Sequence, residues 1–413
     1  LVLGFLAAAI FSTTPASAET IDVKKYGAKG DGVTDDQVAL EKAFAAANAN
    51  PNNKIFFPVG NYLHSGELVA NRIDVDGAKG ATLTNKTTNA VLRLTGNSVS
   101  VLNLTFATKV TGGTAILFDS GAVNYKATKV TVNEGFQFCI RAISATDGDI
   151  RGGSFAVGKS SQAIYCQSCQ KIDVGLNTIK GKIHKVFEQI NGIIFERCGD
   201  ADAESNRFQS TDIALSVSGC TNVTLKNNVS ESETGIICLN SNTLTLTDNS
   251  NIGTSHFKGA GITTTQCKFV TLEGNSARSV REGYQSNFDT NVKCETSRIN
   301  DVFGGISASG STNVNLSGNT FDESQTFGIL AEDCKSSVDI DRNKLVDCGL
   351  DSDQTLAVIE VNSPGAAKIS IDGNNYQGNS KTLSFFIRCL QAPPKASAAG
   401  NTTPTALPTK LGP

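Results

Sequence analysis

Asp212, Glu233, Gly259 and Arg281 each stand three places before an inward apolar position that recurs along the chain, at Leu215, Ile236, Ile262 and Tyr284. Lys258 and Glu282 lie one place to either side of that phase. If each repeat makes one turn of a solenoid, successive copies stack at the strand spacing of ~4.8 Å. Asp212 and Glu233 then approach the ~5 to 5.5 Å separation of a retaining glycosidase pair. His256, Lys258, Arg278 and Arg281 follow one or two copies further along. Carboxylates beside cations suit two reactions on a polymer of sugars. In hydrolysis one carboxyl protonates the leaving oxygen and the other attacks or activates water. In β-elimination from a uronic acid, a base such as Lys258, Arg281 or His256 removes the proton beside the carboxylate while the other cations neutralise the enolate. Arg278, Glu282, Tyr165 and Gln285 are the candidate substrate contacts. The opposing reading is a solvated edge, where charges of both signs gather and pair at small net gain.

The elements that must position these residues repeat. The runs IALSVSGCTNVTLKNN, GIICLNSNTLTLTDN, GITTTQCKFVTLEGN, GISASGSTNVNLSGN and GILAEDCKSSVDIDRN recur between Ile213 and Asn343, and the marker residues Leu225, Leu246, Leu272, Cys294, Leu316 and Ile340 follow one another at 21 to 26 residues. Each unit holds two or three segments of period 2, with no helix-period segment between them. This fits one coil of a parallel β-helix, because a leucine-rich repeat lacks its signature and a propeller blade needs about 40 residues. One coil cannot bury its own apolar face, so coils stack and their inward residues form columns. Ile164, Ile193, Leu215, Ile236, Ile262, Tyr284, Ile306 and Ile329 make one column. Cys166, Phe195, Val217, Cys238, Thr264, Ser286, Ala308 and Ala331 make the next. Tyr165, Ile194, Ser216, Ile237, Thr263, Gln285, Ser307 and Leu330 face outward between them. Asn177, Asn228, Asn249, Asn275, Asn319, Asn343 and Asn374 close the second strand of their coils. An asparagine ladder is expected there, with Asn taking the left-handed conformation of a sharp turn.

Composition narrows the class. With 36 basic and 39 acidic side chains the net charge is −3, so no broad basic field exists for nucleic acid. Residues 1–18 read as an export signal ending in Ala16-Ser17-Ala18, which makes the protein secreted or periplasmic. No other stretch reaches the ~18 apolar residues of a membrane span. The 11 Cys are odd in number; Cys169, Cys198, Cys220 and Cys267 share one register, which suits small buried thiols. If a disulfide forms, Cys334 and Cys348 are the expected pair. Trp is absent and Tyr numbers 6, so aromatic sugar platforms are scarce. No cofactor is indicated, and no calcium ligand set is written in the sequence.

Residues 19–68 hold YGAKGDGVTDD, an Ala-rich stretch and IFFPVGNYLHSG. Thr34 and Gln37 have the spacing of a capping box, and Leu40, Ala43, Phe44 and Ala47 recur at helical spacing, predicting a short helix across the open end of the solenoid. These words resemble the N-terminal signature of the pectate-lyase-like β-helix superfamily, shared by pectinase-like hydrolases, lyases and epimerases of uronic-acid polymers, and phage tailspikes. The signature covers about 50 residues and the repeats extend the agreement. The resemblance implies an all-β, right-handed, single-stranded parallel β-helix over 69–390. It implies a substrate path along the first strand of successive coils, and structural roles at turns for Asp31, Asp35 and Asp36. The catalytic words of the polygalacturonase-like hydrolases and of the mannuronan epimerases are missing; Gly135-Phe136-Gln137-Phe138 matches only the first step of the latter.

The expected protein is therefore an exported β-helix that degrades a polysaccharide, acidic by preference, as hydrolase or lyase. A non-catalytic β-helix that binds polysaccharide or a surface is the alternative, and a polysaccharide epimerase the third reading. Residues 391–413, rich in Pro, Ala and Thr, are expected to be a disordered tail. His64 and His184 are expected to be structural, and oligomeric state is not written in the sequence.

Overall fold

A computed structural model describes residues 18–182, 189–255, 258–349, 357–378, 385–390, 396–403 and 409–411. Alternating apolar runs with a small polar break pair with their own copies one coil away, and every strand pairing is parallel. The result is a right-handed-type β-solenoid of about 14 turns with one short helix. Each coil contributes to three stacks. The first forms a sheet of 16 strands and includes Gln170–Gly175, Thr221–Lys226 and Lys268–Glu273. The second includes Thr178–Gly181, Ser250–Ile252 and Ser276–Arg278. The third includes Gln162–Gln167, Ala260–Thr265 and Glu282–Asn287. The second and third merge where single strands run through both, as Arg207–Ser218, Val229–Leu239, Arg298–Ser309 and Thr320–Glu332 do.

The predicted columns hold. Ile164 pairs with Ile193, then Leu215, Ile236, Ile262, Tyr284, Ile306 and Ile329 follow in register. These side chains are buried, and so is the column from Cys166 to Ala331. Where that column turns polar, Thr264 and Ser286 donate to the buried carboxylate of Asp289, which also accepts from Cys267 N at 2.7 Å. The polar groups around Asp289 thus satisfy one another.

Two corners flank the first stack, and each has its own ladder. At the corner leaving that stack, Asn249 Nδ2 donates to Leu225 O at 2.7 Å and to Asn275 Oδ1 at 3.0 Å, while Asn249 Oδ1 accepts from Asn228 N and Nδ2. The same bonds link Asn177, Asn206 and Asn228, and later Asn319, Asn343, Asn374 and Asn401. The expectation that these Asn adopt the left-handed conformation is corrected. The residue before each one does so, as at Leu176, Ser205, Asn227, Asp248 and Arg342, and the ladder Asn instead serves as an amide that ties coils together. Asn206 belongs to the ladder, and Ser297 replaces Asn in the irregular coil, taking Asn319 Oδ1 on its N–H at 3.0 Å.

At the corner entering the first stack, Cys220 Sγ accepts from Cys198 N at 3.2 Å, Ser241 Oγ from Cys220 N at 3.1 Å, and Ser363 Oγ from Cys334 N at 3.1 Å. Cysteine here is a small acceptor in a second ladder. All 11 thiols are free and buried, so Cys334 and Cys348 are not bridged.

The helix Gln37–Asn48 buries Leu40, Ala43, Phe44 and Ala47 against the first coils, with Phe44 and Phe57 rings 6.3 Å apart. The expected capping box does not form. Thr34 lies in the strand Asp31–Asp35 and its hydroxyl donates to Asp31, while Gln37 Oε1 accepts from Gly66 N at 2.7 Å. Asp31, Asp35 and Asp36 accept from backbone N–H groups of the same turn region. These bonds hold the Asp31 carboxyl down at about 2. His64 is buried with Nδ1 2.8 Å from Gly66 O; His184 lies outside the described residues.

The disordered tail is corrected for its described parts. Ala396–Ser397 pairs with Ile369 and Ser370, Asn401 continues the Asn ladder, and Thr409–Leu411 pairs with Ile387–Cys389. A terminal coil can be held by ladder bonds to the coil beneath it, so a lack of large apolar residues does not free it.

Candidate functional site

The predicted phase is set at the corner between the second and third stacks. Thr211 pairs with Ser232 and Ile213 with Thr234, so Asp212 and Glu233 are lateral neighbours on adjacent coils. The register of Ile236 with Ile262 and of Ala260 with Glu282 brings Gly259 and Arg281 into the same row. In the two upstream coils no turn separates the stacks, and one extra residue at Ser210, in left-handed conformation, shifts the register before Asp212.

The row borders a trough. One hollow of about 510 Å³ is lined by Gln189, Asn191, Asp212, Ile213, Glu233, Thr234, Ile237 and Gly259. A second of about 260 Å³ shares Thr234, Ile237 and Gly259 with it and adds Ala260, Thr263, Arg281, Glu282 and Gln285. Asp212 is oriented by the N–H of Ile190, which donates to its Oδ2 at 2.8 Å. Glu282 accepts from Ser307 Oγ at 2.5 Å. Among the described residues neither Glu233 nor Arg281 forms an ion pair or a side-chain hydrogen bond. Elsewhere charges in neighbouring coils do pair, as in Lys54–Asp76 at 2.6 Å and Arg93 with Glu67 and Asp119 at 3.1 Å each.

Not every expected member joins. Lys258 is exposed and does not line the trough. Arg278 is exposed at the end of the strand Ser276–Arg278, on the second stack, and Ser279 with Val280 separates it from Arg281. His256 lies outside the described residues. Gln285 lines the trough on the outward column. Tyr165 stands upstream on that column, its hydroxyl donating to Glu196 Oε2. Burial, followed by that carboxylate, pushes the Tyr165 phenol up to about 12. Sequence reading missed Gln189, Asn191 and Thr234 as lining residues. Extended one coil upstream, the outward column reaches Arg141, which pairs with Tyr165, while Phe138 on the same strand pairs with Gln162.

A long parallel β-helix with a trough along one stack defines a class, and comparison with known proteins gives the family. The family model described as rhamnogalacturonase A/epimerase, pectate lyase-like, matches residues 20–263. This is more than half of the chain, and the chain belongs to that family. A second model, periplasmic copper-binding protein (NosD), matches residues 226–384. Among the described residues no three of His, Cys, Asp and Glu gather as a metal site.

The non-secreted LysM effector LysM19 of Penicillium expansum is 52% identical over 46 residues, which are 11% of this chain and 4% of that protein. The chain thus matches a small fraction of that curated relative. Among solved structures, pre-mature gene product 12 of bacteriophage phi29 superposes with a TM-score of 0.68 at 13% identity, over 94% of this chain and 58% of that one. The surface adhesin PfbA of Streptococcus pneumoniae gives 0.53 at 13% identity, over 90% and 100%. The catalytic unit of the GH87 α-1,3-glucanase of Streptomyces thermodiastaticus gives 0.52 at 12% identity, over 94% and 69%. At these identities the likeness is one of fold.

Proposed function

We propose that this chain is an exported enzyme that hydrolyses a polysaccharide lying along the outer face of the third stack, with Asp212 and Glu233 as its carboxyl pair and Arg281 as a substrate-holding cation. One observation carries the reading: two carboxylates on adjacent coils and an arginine border one continuous trough without pairing to one another. Asp212 is held in place by a backbone N–H, whereas Glu233 keeps both oxygens for a ligand. That division suits a pair in which one group is fixed and the other exchanges a proton with the glycosidic oxygen. Hydrolysis is favoured over elimination because Lys258 stands away from the trough, leaving Arg281 as the described candidate base. The family description and the glucanase fold agree with a carbohydrate-active protein, and the periplasmic and surface-adhesin descriptions with export.

The second reading, a β-helix that binds polysaccharide without cleaving it, is favoured by the missing catalytic words of the family. A panel of acidic and neutral polysaccharides separates the two. Hydrolysis releases new reducing ends without the ultraviolet absorbance of a new conjugated double bond; that absorbance would mean elimination, and binding without product would favour the second reading. Glu233→Gln and Asp212→Asn are each expected to lower the rate by about 10²-fold or more. Arg281→Ala should weaken kcat/KM by about tenfold. Activity that survives both Asp212→Asn and Arg281→Ala would remove this site from consideration.

A further inference from the structure

Arginines recur on the outward column of the third stack. Two of them are neutralised by neighbours: Arg93 by Glu67 and Asp119, and Arg388 by Glu360 at 3.6 Å. Arg141 differs. Its guanidinium lies 5.0 Å from the ring centre of Phe138 and 5.8 Å from that of Tyr165, with the two rings 5.5 Å apart. Its Nε is sealed with no hydrogen-bond partner, and among the described residues Arg141 forms no ion pair. The nearby carboxylate of Glu196 is already engaged by the Tyr165 hydroxyl, by Gln167 and by Arg197 at 2.8 Å.

We infer that Arg141, set against the rings of both Phe138 and Tyr165, is an anion-recognising subsite that holds a negatively charged group of a glycan chain. The inference rests on the reading that the polysaccharide follows this stack. A guanidinium already ordered against rings has little freedom left to lose on binding, and its terminal N–H groups form a fork that matches a carboxylate or a sulfate ester. The column supplies the distance. Tyr165, Ile194 and Ser216 succeed Arg141 in register, so Arg141 stands three coils, or ~14 Å, before the coil of Asp212. A pyranose unit is close in length to one coil, so an anionic sugar on Arg141 lies a few units from the bond at the carboxyl pair. Arg281, three coils beyond that of Asp212, provides a second cation on the far side. The pattern along the third stack is cation, carboxyl pair, cation, which suits a polymer bearing regularly spaced anions.

The test measures binding rather than turnover, by titration calorimetry of the full chain. The probes are oligogalacturonate and oligoguluronate of about eight units, a sulfated galactan oligomer, and a neutral cello-oligomer, a length that spans both cations at one sugar per coil. Wild-type protein is expected to bind at least one anionic probe, and Arg141→Gln to weaken that binding by about tenfold or more. Arg141→Lys should fall between, because it keeps charge and loses the fork. Lys226→Gln, an exposed cation at the end of the strand Thr221–Lys226 on the first stack, should bind as wild type does. Whether uronates or the sulfated oligomer respond identifies the anion. Unchanged melting temperature for all three variants excludes unfolding as the cause. Equal binding by wild type and Arg141→Gln, an equal loss in Lys226→Gln, or no binding of any anionic probe would each overturn the inference. Arg141-dependent binding without cleavage would uphold it while removing the hydrolytic reading, so the two can fail separately.

Discussion

Individual side chains in this protein do two kinds of work, tying coils together and filling a lumen. Asn249 satisfies a buried carbonyl in one neighbouring coil and a buried N–H in the same neighbour through a single amide. Asn249→Ala leaves both groups unpaired, and unmade buried bonds cost about 1–3 kcal/mol each. A loss of about 3 kcal/mol is expected in urea unfolding, with Asn242→Ala on the exposed face of the strand Asn242–Thr247 as a near-neutral comparison. Asp289 gives a pH signature. Burial raises its carboxyl above the ordinary value of 3.8, against the opposing hydrogen bonds of Thr264, Cys267 N and Ser286. A raised carboxyl binds its proton more tightly in the folded chain, so its stabilising contribution is complete below 3.8 and is lost as pH climbs through the folded value. Asp289→Asn should remove that decline. The difference in unfolding free energy between variant and wild type is expected to grow in the variant's favour from about pH 4 upward; a constant difference would show that Asp289 is not the source.

At the scale of elements, the corner between the second and third stacks decides what the trough contains. Coils with an unbroken strand across the corner present Asp212 and Glu233 from an ordered ladder, while the following coil must turn at Gly259 to keep pace. Gly259 has φ +60°, and a Cβ there would lie 2.2 Å from Glu233 O. Gly259→Ala therefore adds both a left-handed strain and a clash with the backbone that carries the candidate acid. The expected cost is about 1–3 kcal/mol, seen as a lower melting temperature, together with a larger fall in activity than Thr254→Ala causes on the exposed part of the same loop. Equal activity in the two variants would separate the Gly259 corner from catalysis.

Across the whole molecule, stability is a sum of coil-on-coil contacts, and the ends are where such a stack is vulnerable. The helix Gln37–Asn48 covers the first coils with Leu40, Ala43, Phe44 and Ala47. Replacing Leu40 and Phe44 together by Asp should uncover strand edges, and light scattering should then detect soluble oligomers that wild-type protein lacks at equal concentration. A monomeric double variant would mean that the edge is guarded by something other than the helix.

The sequence by itself determined the period, the inward columns and seven positions of the Asn ladder, though not Asn206 or Asn401, because parallel stacking copies one side-chain phase from coil to coil. It reached as far as the row of Asp212, Glu233, Gly259 and Arg281 for the same reason. Backbone conformation at the corners was decided only in three dimensions. The left-handed residue falls one place before the ladder Asn, and a single such residue redirects every side chain that follows it. That is why Arg278 and Arg281, three positions apart, end on different stacks, and why Lys258 leaves a trough that its neighbour Gly259 lines. The pairing of charges was also decided there. Arg93 and Arg141 occupy the same column and look alike in sequence, yet one meets carboxylates from adjoining coils and the other meets two aromatic rings, since loop lengths set which neighbours each can reach.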